Sequence, residues 1–449
     1  MIQHESESYA LGRSSRRVAF LAATVLFAGS ITARAADLCV DPGAKGCAAT
    51  ISAAVAAANP FDVVRVHAGT YHESVVITKP LSLVGAQSGG AIIDATGFLN
   101  GVNVDGVNQP GLAHVAVTGF TVRNANAQGI LVTNASYVTI NDNEVTRNDR
   151  ALDRSDPDNP ICPGLPPYFV MGEGFDCGEG IHLSGVNHSV VSGNHVHHNA
   201  GGILISDDTD PNHDNLITAN LVEENPYDCG ITLASHHFAL APTDPSVGIY
   251  HISVVGNISR RNGLAAGEGA GVGIFAGPPG AQNNANVVAN NTLTDNGLPG
   301  VAMHMHAPFQ SLNDHVIVGN VISGDAGDGD LFPENDQPKK LPSMGISIFA
   351  PVMPITGIVI TDNVFNREDI NIAINVVPGS SIAAHLNSLT AKTGIDNMAA
   401  GTIDATLNWW KCSKGPNAPG CSSVEGSGVL TNPWLTSPVA QGAGDEHDH

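Results

Sequence analysis

Apolar residues alternate with polar ones over three to five positions, break at glycine or asparagine, and alternate again. A recurring sentence has the form apolar-x-apolar-x-(Gly)-Asn-x-apolar-x-x-Asn, followed by glycine and another alternating stretch. It is met at Asn143/Asn148, Asn194/Asn199, Asn220/Asn225, Asn257/Asn262, Asn291/Asn296 and, less perfectly, at Asn320/Asp325 and Asn363. Alternation with period two predicts short strands, and self-similarity at 20 to 50 residues predicts a solenoid. Aligning the glycine-led strands sends Ile181/Leu183, Ile203/Ile205, Ile231/Leu233, Val272/Ile274, Val301/Met303 and Ile346/Ile348 inward. The same alignment sends His182, Leu204, Thr232, Gly273, Ala302 and Ser347 outward in one column. The repeat asparagines stack at one turn in this reading, bonding one another and the backbone along the axis.

Before the first coil, TISAAVAAANP (50–60) is the only good amphipathic helix, placed to cover the open apolar end. Residues 61–97 then predict strands around Val63–Val66, Val75–Ile77, Leu81–Val84 and Ile92–Ile93, with turns at Gly69-Thr70 and Lys79-Pro80. Two insertions interrupt the coils, 149–179 and 325–343. Residues 1–35 carry Arg13, Arg16 and Arg17, an apolar stretch from Val18 to Ile31, and Ala33-Arg34-Ala35. That is the pattern of a secretory signal peptide, and its double arginine resembles a twin-arginine export signal. The expected organisation is a signal at 1–35, a cap at 36–60, the solenoid at 61–435 and a flexible tail at 436–449. The expected location is secreted or periplasmic.

Seven cysteines suit an oxidising compartment. Cys39/Cys47, Cys162/Cys177 and Cys412/Cys421 are near neighbours and predict three local disulfides. Cys229 is left over, and at the start of a glycine-rich strand it reads as a buried, inert thiol. The formal charge is −23; removing residues 1–35 takes away four basic and two acidic residues, leaving 15 against 40 and a charge of −25. Such a surface repels phosphate backbones and anionic membranes. Nucleic acid and membrane insertion are therefore not expected, and the chain is expected to be a monomer. An acidic polysaccharide would need calcium or a local basic patch; a neutral one would not.

VRVHAGTYHESVVITKPLSLVGAQSGGAIID resembles the opening of proteins in the pectate-lyase-like superfamily. VVSGNHVHHNAGGILIS and VVANNTLTDNGLPGVAMH are similar to the parallel β-helix repeats of that superfamily. GTIDATLNWWKCSKGP resembles the closing coil of repeat proteins associated with periplasmic copper-enzyme maturation and of surface-layer relatives. The resemblance covers about residues 50–435. It implies an all-β, single-stranded, right-handed parallel β-helix with an N-terminal capping helix. The superfamily holds lyases, hydrolases, esterases, epimerases and non-enzymes, so it leaves the chemistry open.

Candidate chemistry gathers where outward strands pass into loops: SDDTDPNHD (206–214), YDCGITLASHH (227–237) and PGVAMHMHAPFQSLNDH (299–315). The alignment places Asp208, His236 and His306 at one rim, with a glycine coil between the two histidines. Histidine transfers protons near neutrality, and aspartate can orient it or bind calcium. Removal of an α-proton beside a uronate carboxylate needs a base, an acid and a neutraliser. Asp207, Asp208, His236, His304 and His306 are the candidate catalytic residues; Asp207, Asp208 and Asp210 are the candidate calcium ligands. Asp207-Asp208 matches part of the motif of pectin-hydrolysing relatives, whose histidine-glycine and arginine-x-lysine elements are not evident. Asp210-Pro211-Asn212-His213-Asp214 is similar to the Asp-Pro-His-Asp/Glu element of alginate C5-epimerases but carries one extra residue. In the insertions, Tyr168 and Phe169 could wall a groove. Glu173, Asp176, Glu179, Asp325, Asp328, Asp330 and Glu334 are calcium-compatible. Trp409 and Trp410 are expected to pack over the last coil. The leading reading is an exported lyase or C5-epimerase acting on a uronate-containing glycan. The alternatives are a non-catalytic glycan-binding or periplasmic accessory solenoid, and a glycoside hydrolase.

Overall fold

Each coil contributes one short strand to each of three long parallel sheets, so the chain climbs by winding. A computed structural model describes residues 35–439, apart from 87–89, 157–159, 170–177, 242–246, 334–337 and 400. Residues 1–34 and 440–449, which hold almost all of the expected signal and most of the tail, lie outside the described residues, as do Glu173, Asp176, Cys177 and Glu334. Among the described residues the sheets have 14, 12 and 10 strands, and a fourth, of three strands, fills one corner. Every paired strand is parallel to its neighbours, and beyond the first pair, Asp37–Val40 and Val63–Val66, sequence neighbours lie in different sheets, which is the topology of a parallel β-helix.

The 12-stranded sheet has the register expected from the glycine alignment. Ile181 pairs with Ile203, Ile203 with Ile231, Ile231 with Val272, Val272 with Val301, and Val301 with Ile346. These residues and their i+2 partners are fully buried in one continuous core. The helix spans Ile51–Ala57, with Thr50 as N-cap accepting from the Ala53 amide, and it buries Ile51, Ala54 and Val55. Gly69–Tyr71 forms a strand pairing with Ala91–Ile93, where a turn was expected at Gly69-Thr70. Cys39–Cys47 and Cys412–Cys421 are disulfides, Cys162 is disulfide-bonded, and Cys229 is a buried thiol whose Sγ accepts from the Ala270 amide. Trp410 is fully buried.

Two sequence expectations need correction. The asparagines form two ladders rather than one. The first runs from Asn143 through Asn194, Asn220, Asn257, Asn291, Asn320, Asn363 and Asn387 to Asn408, each side-chain oxygen accepting from the amide groups of the coil before. The second runs Asn148, Asn199, Asn225, Asn262, Asn296 and ends on Asp325. The four residues between the two asparagines of each sentence carry a strand of the 10-stranded sheet, so the two amides fall at opposite ends of that strand. Asp325 is thereby a buried rung, not a solvent-facing calcium ligand.

The second correction concerns the outward column. His182, Leu204, Thr232, Ala302 and Ser347 leave the helical core but are 0–1% exposed. Inter-sheet turns and an insertion fold back over them. Cys229, Ala270 and Leu298 build a small apolar cluster with Leu204, Ala234, Phe275 and Ala302. Further along, Leu331 and Phe332 of the second insertion pack with Met344, Ile370 and Phe349. Period-two alternation identifies which side of a strand faces the helix interior; it says nothing of what covers the other side.

Candidate functional site

The candidate residues divide into two groups on the outer face of the 12-stranded sheet. The first is set by Ile203–Ser206, the strand that delivers Asp207 and Asp208. Asp207 accepts from Ser235 Oγ at 2.7 Å and from the His236 backbone amide at 2.6 Å. Asp208 sits between two imidazoles. Its Oδ1 is 2.8 Å from His236 Nδ1; its Oδ2 accepts from Ser206 Oγ at 2.6 Å and lies 3.7 Å from His182 Nε2. The side chains of His182, Asp208 and His236 are each about 1% exposed. Phe169 of the first insertion lies against His182, with ring centroids 5.1 Å apart. Burial pushes the Asp207 carboxyl up. Burial acts on Asp208 in the same sense, but His236, His182 and Ser206 outweigh it and hold that carboxyl below its ordinary range.

Each carboxylate oxygen of Asp207 and Asp208 has one acceptor site taken up by the chain, and calcium takes six to eight oxygens. Asp210 is exposed at the following turn and adds one further carboxylate.

The second group grows from the strand Val301–Met305. His304 stands in register between Phe275 and Phe349. His306 follows the strand, and Gln310 fixes it there: its Oε1 accepts from the His306 and Ala307 amides, while its Nε2 donates to the Ala276, Gly277 and Pro278 carbonyls. The second insertion supplies Asp328, whose Oδ2 is 2.7 Å from His304 Nε2, and Asp330, whose Oδ2 is 3.4 Å from His304 Nδ1 and 3.6 Å from His306 Nε2. With Glu268, Phe275 and Leu298 these residues line an open pocket of about 360 Å³.

The two imidazoles, 5.4 Å apart between centroids, are driven in opposite directions. Burial alone would lower the proton affinity of His304, but Asp328 and then Asp330 outweigh it and raise its pKa. Burial and the neighbouring His304 lower the pKa of His306, against a weaker pull from Asp330 and Asp328. Burial, and then the charge of Asp330, raises Glu268.

The sheet therefore joins Asp207, Asp208 and His236 to one another, and His304 to His306, without merging the two groups. Ser235, Ala276 and Met305 are register partners, so His236, Gly277 and His306 follow on successive strands. Two strand spacings, about 9.6 Å, separate the histidine-bearing coils. Sequence reading placed His182 in the outward column without giving it a role. It counted Asp328 and Asp330 as calcium-compatible carboxylates of the second insertion and passed over Glu268. The Gly-Asp-Gly-Asp run at 327–330 was visible; its return to His304 is a long-range contact with no local signature.

Comparisons with known proteins agree with this architecture. The family model described as a right handed beta helix region matches residues 100–322. The fold is a right-handed parallel β-helix. Among solved structures, the β-helix is similar to the mannuronan C-5 epimerase AlgE6 A-module of Azotobacter vinelandii, with 14% identity, TM-score 0.51, and coverage of 86% of this chain and 94% of that one. It is also similar to a DFA-IIIase from Arthrobacter chlorophenolicus A6 without its lid, with 12% identity, TM-score 0.54, and coverage of 87% and 98%. Identities this low establish the fold. No curated protein matches the sequence of this β-helix. Among the described residues no helix is long and apolar enough to cross a membrane.

Proposed function

We propose that the β-helix is a polysaccharide-active enzyme that moves a proton at a uronate sugar, as a lyase or C5-epimerase, from the pocket of His304 and His306. The observation that carries this reading is the opposed tuning of the two imidazoles in one open cleft. A pair whose environments push proton affinities apart divides into acid and base. His306, half exposed and with its pKa lowered by burial and His304, is the base that takes the α-proton. His304, with its pKa raised by Asp328, is the acid that returns a proton to the opposite face or to the leaving oxygen. The 360 Å³ of space suits a sugar ring, and Phe275 and Phe349 flank His304 with apolar surface.

The pocket is rich in carboxylates, so an anionic sugar needs compensation. Glu268 and Asp330 line the same pocket, and the charge of Asp330 disfavours ionisation of Glu268. Their oxygens would suit a calcium-type dication, which when bound would neutralise the uronate carboxylate. Asp207, Asp208 and His236 are proposed to position the adjoining coil, since Asp207 accepts from Ser235 and the His236 amide while Asp208 pairs with Ser206 and His236 Nδ1. A second reading, glycan binding without turnover, draws support from that buried, internally hydrogen-bonded network, which resembles a structural brace.

The test is the purified protein against pectate, alginate, glucuronan and neutral glycans, with and without calcium. Absorbance at 235 nm, reducing ends and proton NMR are followed. Unsaturated ends mean a lyase, and an altered uronate signal without cleavage means an epimerase. Reducing ends alone mean a hydrolase. Glycan binding with no product from folded protein would replace this proposal with the binding reading.

A further inference from the structure

A second histidine group lies at a different corner, between the 12- and 14-stranded sheets. Here the chain turns through a left-handed residue in coil after coil: His114, Tyr137, His188, Asp214 and His251 have φ between 51° and 58°. Histidine and aspartate are among the few non-glycine residues that occupy this region readily. The register runs through isolated bridges and the three-stranded sheet, pairing Ala113 with Ser136, Ser136 with Asn187, Asn187 with His213, and His213 with Tyr250. The residue after each of these pairing positions therefore forms one surface column, His114, Tyr137, His188, Asp214, His251.

Most of this column is a stack of rings. His114 stacks on Tyr137 at 5.0 Å and Tyr137 on His188 at 5.2 Å. At the next coil the stack is broken by a carboxylate. Asp214 has an imidazole on the coil before, His188, and one on the coil after, His251, with His213 beside it in sequence. Three Nδ1 atoms converge on it: His213 at 2.8 Å, His251 at 3.3 Å and His188 at 4.0 Å. His213 is itself held by Tyr250, stacked at 4.8 Å and 7° from parallel.

We propose that His188, His213, His251 and Asp214 bind a transition-metal dication of the zinc class. Four donors, three nitrogens and one oxygen, match the four-coordinate preference of zinc. A calcium-class ion would want six or more oxygens. Bonds of about 2.0–2.1 Å in a tetrahedron set donor atoms about 3.3 Å apart. The separations from Asp214 already bracket that value, and the ligand atoms of His188, His213 and Asp214 all lie within 4.8 Å of one another. His188, His213 and Asp214 form the preassembled part of the site, and His251, which faces the other oxygen of Asp214, swings in as the fourth donor. The corner is partly open, with side-chain exposures of 44% for His188, 22% for His213 and 59% for His251, so an ion can enter from solvent. A sugar platform at this corner is the poorer reading, because the stacked rings cover one another's faces and leave their edges outward.

The experiment is zinc titration of the untagged full chain by calorimetry, with cobalt(II) absorption as a geometric probe. Comparison is made with a His188→Ala/His251→Ala variant, an Asp214→Asn variant and a His306→Ala variant. The expected result is one zinc equivalent lost from the double variant and weakened in Asp214→Asn. The tetrahedral cobalt band disappears with it, while His306→Ala keeps both. Circular dichroism and melting verify that the fold is intact; should the double variant fail to fold, Asp214→Asn alone decides. Zinc stoichiometry unchanged across the corner variants, no zinc binding by the parent chain, or loss only in His306→Ala would overturn the assignment. Because the readout is binding, it does not depend on whether the glycan reading holds.

Discussion

Asp208 and Asp328 do the same local job, each holding an imidazole on the outer face of one sheet, and yet they end in opposite surroundings. Asp208 lies between His182 and His236 with both oxygens hydrogen-bonded, under cover of the first insertion. Asp328 holds His304 from one side, and His304 opens with His306 onto a pocket. A histidine–aspartate contact is therefore no sign of chemistry in itself. What matters is whether one ring nitrogen still faces space that a substrate can fill, and on this sheet the insertion that arrives at each coil decides that.

The sharpest way to separate the two is His306→Ala, which removes the proposed base. Turnover is expected to fall about 10²–10⁴-fold, as for loss of a general acid or base, with the melting temperature nearly unchanged. Asp208→Ala is the converse. It leaves buried imidazoles without their anion and is expected to lower unfolding free energy by about 3–5 kcal/mol, read as a large drop in melting temperature. If instead Asp208→Ala melts normally and abolishes turnover, the assignment of roles is reversed. Asn257→Ala tests the frame beneath both. It strands the Asn220 amide and the Ile217 carbonyl and is expected to cost about 1–3 kcal/mol, measured by denaturant unfolding.

The smallest effect is the pH response. The base His306 has a lowered pKa and the acid His304 a raised one, so activity should form a plateau spanning the ordinary histidine value near 6.5. It falls on the acid side as His306 gains a proton and on the alkaline side as His304 loses one. Stability follows the same signs. The His304–Asp328 pair contributes fully below the unfolded histidine value and fades as pH rises through the raised folded value. Asp208, depressed in the fold, contributes above the unfolded aspartate value and is lost as pH falls through its folded one. A profile without the alkaline arm would remove His304 from the proposed mechanism.

Much of the frame was legible because it rests on local alternation repeated many times. Ile203, Ile231 and Val272 announce their side of the strand by period two, and their pairing follows from the glycines beside them. Asn220 and Asn225 were visible as a pair, but their separation onto two ladders depends on the strand that lies between them. The outer column was misjudged because burial of His182 and Leu204 is conferred by Phe169, Cys229 and Ala270, which arrive from other turns. The left-handed corner was invisible for a different reason. His114, Tyr137, His188, Asp214 and His251 share a backbone conformation, but three residue types occupy the column at uneven spacing, so no motif links them.

The ladders also bear on how such a chain can lengthen. An amide both gives and receives, so each asparagine relays the contact from the coil before to the coil after. The second ladder stops at Asp325, and the chain next departs into the loop that carries Asp328 and Asp330. A duplicated coil bringing its own two asparagines could be spliced anywhere upstream without leaving an amide stranded. Copy number could then drift while the frame kept its bonds, and the edges of new coils would be free to acquire rings, carboxylates or loops of their own.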